Sequence, residues 1–466
     1  MPRARWVTVG VVLVLVCLCL AAGGALSAAF YFYSRAPAPL GTPAAASRSA
    51  TPGPVVDLPT ATETAGLPTP PGATLEPSAF QPDMDQIRAQ VESLRELRAN
   101  SPVQQKLITR EQLAARLNQK VEEDYSPEEA RDDARALAAF GLVDPEFDFF
   151  TYLLEVQSEG ILGFYDPEEK TMYVIADGSF GGFERMTYAH EYTHVLQDQV
   201  FVFDLLHIGD EDCQNDSERC GAIQALYEGD ASLVQLEWIT QYATRQDLED
   251  IQEAYVSFDT PVLDQGPPFY SKQLDFIYGT GYEFVTGLRD TGGWAAVDRA
   301  YDQPPLSTEQ ILHPEKYPGD PPKLLDPITF GEALGIGWRE VDTGVLGELY
   351  TRYILEEQLP EDRAALAAAG WGGDAYVVSY DETSSRTVMA LRTVWDTAQE
   401  ADEFVLAFND YNRARFGGEP FLLGGETCHH GESMSCLSQA AEETLWVLGP
   451  DEATVRAVLE LFQPSG

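Results

Sequence analysis

His190, Glu191 and His194 stand in the pattern H-E-x-x-H, inside a stretch whose other residues from Met186 to Gln197 are uncharged. If that stretch is a helix, residues four apart share a face, and both imidazoles can reach one ion at about 2.0–2.1 Å. Glu191, between them, can then accept a proton from a water that the ion has acidified, while the ion polarises a substrate carbonyl. The chemistry implied is hydrolytic and the expected metal is zinc (Zn2+), although His and carboxylate ligands accept other divalent ions. A pattern with three fixed positions also arises on ordinary solvated helices. Here it takes two of only six histidines in the chain, which favours a site.

A catalytic zinc takes a third protein ligand and keeps one position open. An extended motif with a glycine and a third histidine farther along the same helix is excluded, because Gln197 and Val200 occupy those places. The other solution is a carboxylate from a following helix. The segment Ala225-Leu-Tyr-Glu-Gly-Asp-Ala231 offers Glu228 in apolar surroundings where an unpaired carboxylate is costly to bury. Asp230 and His207 are the alternative ligands. Asp198, four residues after His194, can orient an imidazole through a hydrogen bond or simply be a solvated helix charge. His313, within Ser307-Thr-Glu-Gln-Ile-Leu-His-Pro-Glu-Lys-Tyr317, is a candidate for oxyanion or substrate contact, with a capped loop histidine as the plainer reading. His429 and His430 lie between Cys428 and Cys436 and read as exposed.

The elements that must position these residues follow from periodicity. A helix is expected from Phe183 to about Val200, a second from about Ala222 to Tyr242, and a third from about Leu274 to Arg289, ended by Gly292 and Gly293. Helical periodicity also runs from near Met84, and resumes after the start signals Ser126 and Pro127. Just before the site helix, ILGFYD and TMYVIAD read as the strands of a hairpin around Pro167 to Lys170. Beyond Gly335, AYVVSY, TVMALRTVW and TLWVLG read as strands, and Ala398–Phe416 and Asp451–Phe462 as helices. The expected fold is α+β, with a catalytic region over residues 83–335 and a small C-terminal α/β unit over 336–466.

With 466 residues, of which 44% are hydrophobic, the chain can build more than one core. Its 75 acidic against 30 basic residues give a net charge of −45, which repels a phosphate backbone and excludes nucleic acid as a partner. After Arg3 and Arg5, an uncharged stretch from Trp6 to Ser34 is long enough to span about 30 Å of hydrocarbon, with Tyr31, Phe32 and Tyr33 at its far end. Residues 1–35 are therefore expected to be a transmembrane anchor; the competing reading is a cleaved signal with Val7 to Leu20 as its apolar region. Either one exports the remainder. Cys17 and Cys19 lie inside this run without a lipidation signal. Residues 36–82, rich in Pro, Ala, Thr, Ser and Gly, form a stalk too poor in bulky apolar residues to fold. In an exported chain, Cys213 with Cys220 and Cys428 with Cys436 read as two local disulfides, with reduced thiols as the alternative.

The order H-E-x-x-H, then E-G-x-A at Glu228, then Y-x-x-G at Tyr278 and Gly281, resembles the gluzincin metallopeptidases. That resemblance implies a zincin-like fold, His190, His194 and Glu228 as zinc ligands, Glu191 as general base, and Tyr278 as the hydroxyl that stabilises the tetrahedral oxyanion. It also implies that an edge strand before the site helix, here Met172 to Ile175, pairs with an extended peptide substrate. The stretches Ser307–Tyr317, Gly370-Trp-Gly-Gly-Asp374 and Trp395-Asp-Thr397 are most similar to uncharacterised exported proteins of bacteria and haloarchaea. Two departures stand out. The spacing from His194 to Glu228 is longer than the family's usual one, and no G-x-M-E-N segment is present, so exopeptidase specificity is not implied. The expectation is a membrane-held, extracytoplasmic zinc peptidase acting on peptides or proteins. The competing expectations are a noncatalytic surface protein with a structural zinc, and a zinc hydrolase of other amides such as cell-wall peptides.

Overall fold

The computed structural model describes residues 80–462, apart from 160–162, 176–178, 202–215, 258 and 332. The N-terminal apolar segment, the stalk up to residue 79, His207 and Cys213 lie outside the described residues. Among those described, no helix is long and apolar enough to cross a membrane.

The chain opens with α1 (Gln81–Arg95), β1 (Gln104–Ile108), α2 (Arg110–Asp124), α3 (Pro127–Phe140) and α4 (Phe149–Glu159). α2 and α3 begin at capping boxes: the Thr109 hydroxyl accepts from the Gln112 N–H while the Gln112 side chain accepts from the Thr109 N–H, and Ser126 with Glu129 repeats the exchange. α3 stops at Gly141, whose φ of +90° suits glycine.

β2 (Gly163–Asp166) and β3 (Thr171–Ile175) form the expected hairpin, and β1 pairs parallel to β3, giving the strand order β1-β3-β2. Met172 to Ile175 is thus the central strand and not the edge. The difference comes from β1, whose polar QQK start hides it from a reading by apolar alternation. The edge on the site side is β2.

A run of helices follows: α5 (Gly182–Phe201), α6 (Ser217–Tyr242), α7 (Arg245–Ser257), α8 (Pro261–Gln265), α9 (Pro268–Asp275), a π-helical turn over Phe276–Thr280, α10 (Gly281–Gly292), α11 (Trp294–Asp302) and α12 (Thr308–Leu312). The helix expected over 274–289 is present as a continuous helical run that carries the π turn near its start. α5 is buried from Met186 to Asp198 and packs against α1, α6, α7, β2 and β3, which is why its sequence lacks a polar stripe.

The C-terminal part holds β4 (Trp338–Gly344), α13 (Gly347–Glu356), α14 (Glu361–Ala368), β5 (Trp371–Asp381), β6 (Arg386–Trp395), α15 (Ala398–Phe416), β7 (Phe421–Leu423), β8 (Glu426–His430), β9 (Met434–Ala440), β10 (Glu443–Gly449) and α16 (Glu452–Leu461). The strands form one seven-stranded sheet in the order β4-β5-β6-β10-β9-β8-β7, antiparallel throughout, so this part is α+β and not α/β. Tight connections such as Glu382 to Ser385 return the chain as hairpins, without the crossover helix that a parallel pair needs.

Side chains alternate across this sheet. Tyr376, Val378, Met389, Leu391, Trp446 and Leu448 join the core that continues into the helical region, while Val377, Val388, Ala390 and Val447 meet Val455, Val458 and Leu459 of α16. The first face is sealed by Phe140 of α3, whose ring meets Tyr376 and Trp446 at 5.3 and 5.9 Å between centroids. Alongside, Arg339 of β4 grips the buried Asp132 of α3 with two bonds of 2.7 Å.

Cys428 and Cys436 are cross-strand partners on β8 and β9 and form a disulfide. Cys220 is also disulfide-bonded; its expected partner, Cys213, is outside the described residues. The hairpin overturns the exposed reading of His429, which is buried on β8, while His430 faces solvent.

Candidate metal centre

α5 sets His190 and His194 one turn apart with ring centroids 4.7 Å from each other. Glu228, on α6, enters between them: its Oε2 is 3.1 Å from His190 Nε2 and 3.4 Å from His194 Nε2. One ligand atom from each residue lies within 4.8 Å of the other two, and all three side chains are buried. Burial by itself raises the Glu228 carboxyl and lowers the His194 imidazole. The imidazoles nonetheless hold Glu228 down at about 2, and Glu228 holds His194 up at about 9. Positive charge is thus stabilised where the three ligand atoms converge, and two imidazoles with one carboxylate are a donor set that suits zinc.

The approach of α6 to the following helices depends on two glycines. A Cβ on Gly229 would stand 2.2 Å from the Gly281 carbonyl oxygen, and one on Gly281 would stand 2.2 Å from the Ala225 carbonyl oxygen. Backbone therefore packs directly on backbone at the crossing. The glycines that follow Glu228 and Tyr278 in the two motifs are there for this contact, which carries the buried Tyr278 ring to 6.5 Å from that of His190. Tyr278 stands within the π turn, and such turns recur at functional sites.

Glu191 reaches β2, where one carboxylate oxygen accepts the Tyr165 N–H at 2.8 Å, and it lies near enough to His194, His190 and Glu228 to interact with their charges. Burial pushes its carboxyl above the usual carboxylate range. Gly163, on the same strand, leaves room beside it: a Cβ there would lie 3.6 Å from Glu191 Cγ and 3.1 Å from Thr187 Cγ2.

Of the other sequence candidates, Asp198 does not touch an imidazole. It binds Lys170 Nζ at 2.8 Å and accepts from the Tyr165 hydroxyl at 2.5 Å, tying α5 to the hairpin. The residue that meets the ligand imidazole is Gln197, with Oε1 2.9 Å from His194 Nδ1. Its place three residues after His194, on the same helix face, was a usable signal; the Tyr165 N–H, being backbone, left none. Asp230 is bound by Arg95 and is not a ligand. His313 pairs with Glu348 of α13 at 2.8 Å and is not in the ligand group. Tyr227, also unsignalled, stacks on His194 with centroids 4.1 Å apart.

Fold and site together define a mixed α+β protein with a buried His-His-Glu group able to hold a metal ion. Residues 333–459 match the model of a domain of unknown function, DUF8575, which covers the C-terminal sheet. No curated protein matches. A crystal structure from Chloroflexus aurantiacus, described as a hydrolase candidate with a novel fold, is similar at 17% identity over 52% of this chain and 91% of that one, with a TM-score of 0.33. A likeness of that degree carries no argument about fold or activity.

Proposed function

We propose that this protein is a zinc-dependent hydrolase that cleaves peptide bonds, with Glu191 as general base. The observation that carries the reading is the placement of Glu191 beside three converging buried ligand atoms, with its carboxylate aimed by the Tyr165 N–H. A divalent ion held by His190, His194 and Glu228 would supply Lewis acidity to the substrate carbonyl and acidify a water. Glu191 takes the proton of that water during attack, its raised affinity for protons suiting the task, and returns it to the leaving amine. Tyr278, whose ring lies 6.5 Å from that of His190, would donate its hydroxyl to the developing oxyanion. The order of motifs, which resembles the gluzincins, supports a peptide substrate, and the apolar segment before Arg35 supports an extracytoplasmic setting.

The test is metal content and peptide-library cleavage for the native protein and for Glu191→Gln. Both should hold one equivalent of zinc, and only the native protein should cleave. Equal cleavage by the two would refute the role of Glu191. A native protein that binds zinc but cleaves no peptide, amide or ester would favour a structural metal, the reading against which the presence of a base beside the ligands already argues.

A further inference from the structure

Gln197 is fully buried, and its amide has three neighbours. Oε1 faces His194 Nδ1 at 2.9 Å, while Nε2 donates to the Tyr227 carbonyl at 3.0 Å and to Asp230 Oδ2 at 3.1 Å. The last two groups accept hydrogen bonds and cannot donate, so the amide is fixed in one orientation: turned over, its oxygen would oppose a carbonyl and a carboxylate. With an acceptor held against it, His194 Nδ1 must carry the ring hydrogen. In the neutral ring, the form that binds a metal, the lone pair is then on Nε2, the nitrogen that faces Glu228.

Asp230 is itself held. Arg95, the last residue of α1, donates through Nε to both carboxylate oxygens at 2.8 and 3.0 Å, and Tyr301 donates its hydroxyl at 2.9 Å. The Arg95 side chain is completely buried, reaches Asp298 at 2.8 Å and lies over the Trp294 ring at 4.3 Å. A charge pair this deep requires partners on every side, and a single replacement is costly. Packing alone would be met by an apolar set of equal volume. What the polar set adds is direction, from Arg95 to Asp230 to the Gln197 amide to the imidazole.

We propose that Gln197, locked by Asp230 and Arg95, is a positioning residue that fixes the His194 tautomer and thereby sets the metal affinity of the centre from the first helix. The inference rests on the reading of His190, His194 and Glu228 as metal ligands and extends it to residues that never touch the ion. Partners of this kind are worth about 10- to 100-fold in metal affinity.

The test uses zinc alone, titrated in competition with a chromophoric chelator into the native protein, Gln197→Leu and Asp230→Asn, with melting of each metal-free protein recorded in parallel. The expected result is one zinc in the native protein and an affinity about 10- to 100-fold lower in Gln197→Leu, measured on a metal-free protein that is still folded at the titration temperature even if its melting point is lowered. Asp230→Asn, which frees the amide to turn, should shift affinity in the same direction. Native affinity in both variants would overturn the role of Gln197 while leaving the metal site in place. A folded native protein that takes up no zinc would end both readings. Should the variants fail to fold, nitrogen NMR of the imidazoles in the native protein decides: His194 must keep hydrogen on Nδ1 and shift at Nε2 when zinc is added, and a shift at Nδ1 instead would overturn the proposal.

Discussion

At the scale of single residues, the proposed mechanism separates the three candidate ligands from the groups that would act on substrate. Tyr278 is buried beside His190 but is not among the ligand atoms, so Tyr278→Phe is expected to leave zinc content unchanged. It should lower kcat by about 100- to 1,000-fold with little change in KM, the pattern of an interaction made only in the transition state. Steady-state kinetics on any cleaved peptide checks this, and a rise in KM alone would mean ground-state binding instead. The residues legible in the sequence were those whose chemistry is written in their type: two histidines and a glutamate at helical spacing, then a carboxylate on an apolar helix. What escaped was of two kinds. The Tyr165 N–H acts through backbone, which has no letter, and Gln197 was passed over for Asp198 because a carboxylate is the commoner partner of a ligand imidazole. Once folded, Lys170 and the Tyr165 hydroxyl claim Asp198, so its charge serves the hairpin.

At the scale of elements, the crossing of α6 with the π turn and α10 is the joint on which the centre depends. Gly229→Ala would drive a Cβ into the Gly281 carbonyl, and overpacking against backbone costs about 1–3 kcal/mol or more. The expected outcome is a lower melting temperature together with lost zinc, since Glu228 precedes the displaced residue. Ser126→Ala makes the contrast. It removes a capping-box acceptor on α3 and should cost about 1 kcal/mol with zinc content untouched. Helix ends such as Ser126, and α15 as a whole, were legible because caps and periodicity are local. β1, the π turn, β4 and the β7 to β9 ribbon were not, because short or polar strands and helix defects are decided by what packs against them.

At the scale of the whole molecule, the helical region and the seven-stranded sheet share one core through Phe140. Phe140→Ala, at a fully buried position, should cost about 3–5 kcal/mol, and zinc release should coincide with loss of the near-ultraviolet signal from Trp446 and its neighbours in one transition. Two separated transitions would mean independent folding units. A separate contact, between α12 and α13, gives a pH prediction: the Glu348 hydrogen bond holds His313 above its ordinary value of 6.5 against the lowering effect of burial, with Glu315 adding to the rise and Lys316 opposing it. A raised folded value means that the contribution is full below 6.5 and is lost as pH climbs through the folded value. His313→Gln should therefore reduce stability toward denaturant at pH 6 and matter less at pH 9. Sequence distance gives the buried ion pair behind the centre a further meaning. Asp230 lies 135 residues beyond Arg95, and Glu228 lies 38 beyond His190, so the parts of the metal site leave the ribosome at well-separated times. Chains are made N-terminus first, and contacts this far apart form late. The H-E-x-x-H helix is without the third ligand of the proposed centre until the helix bearing Glu228 and Asp230 has emerged to meet it, so metal capture at this site would follow the pairing of those two helices and not precede it.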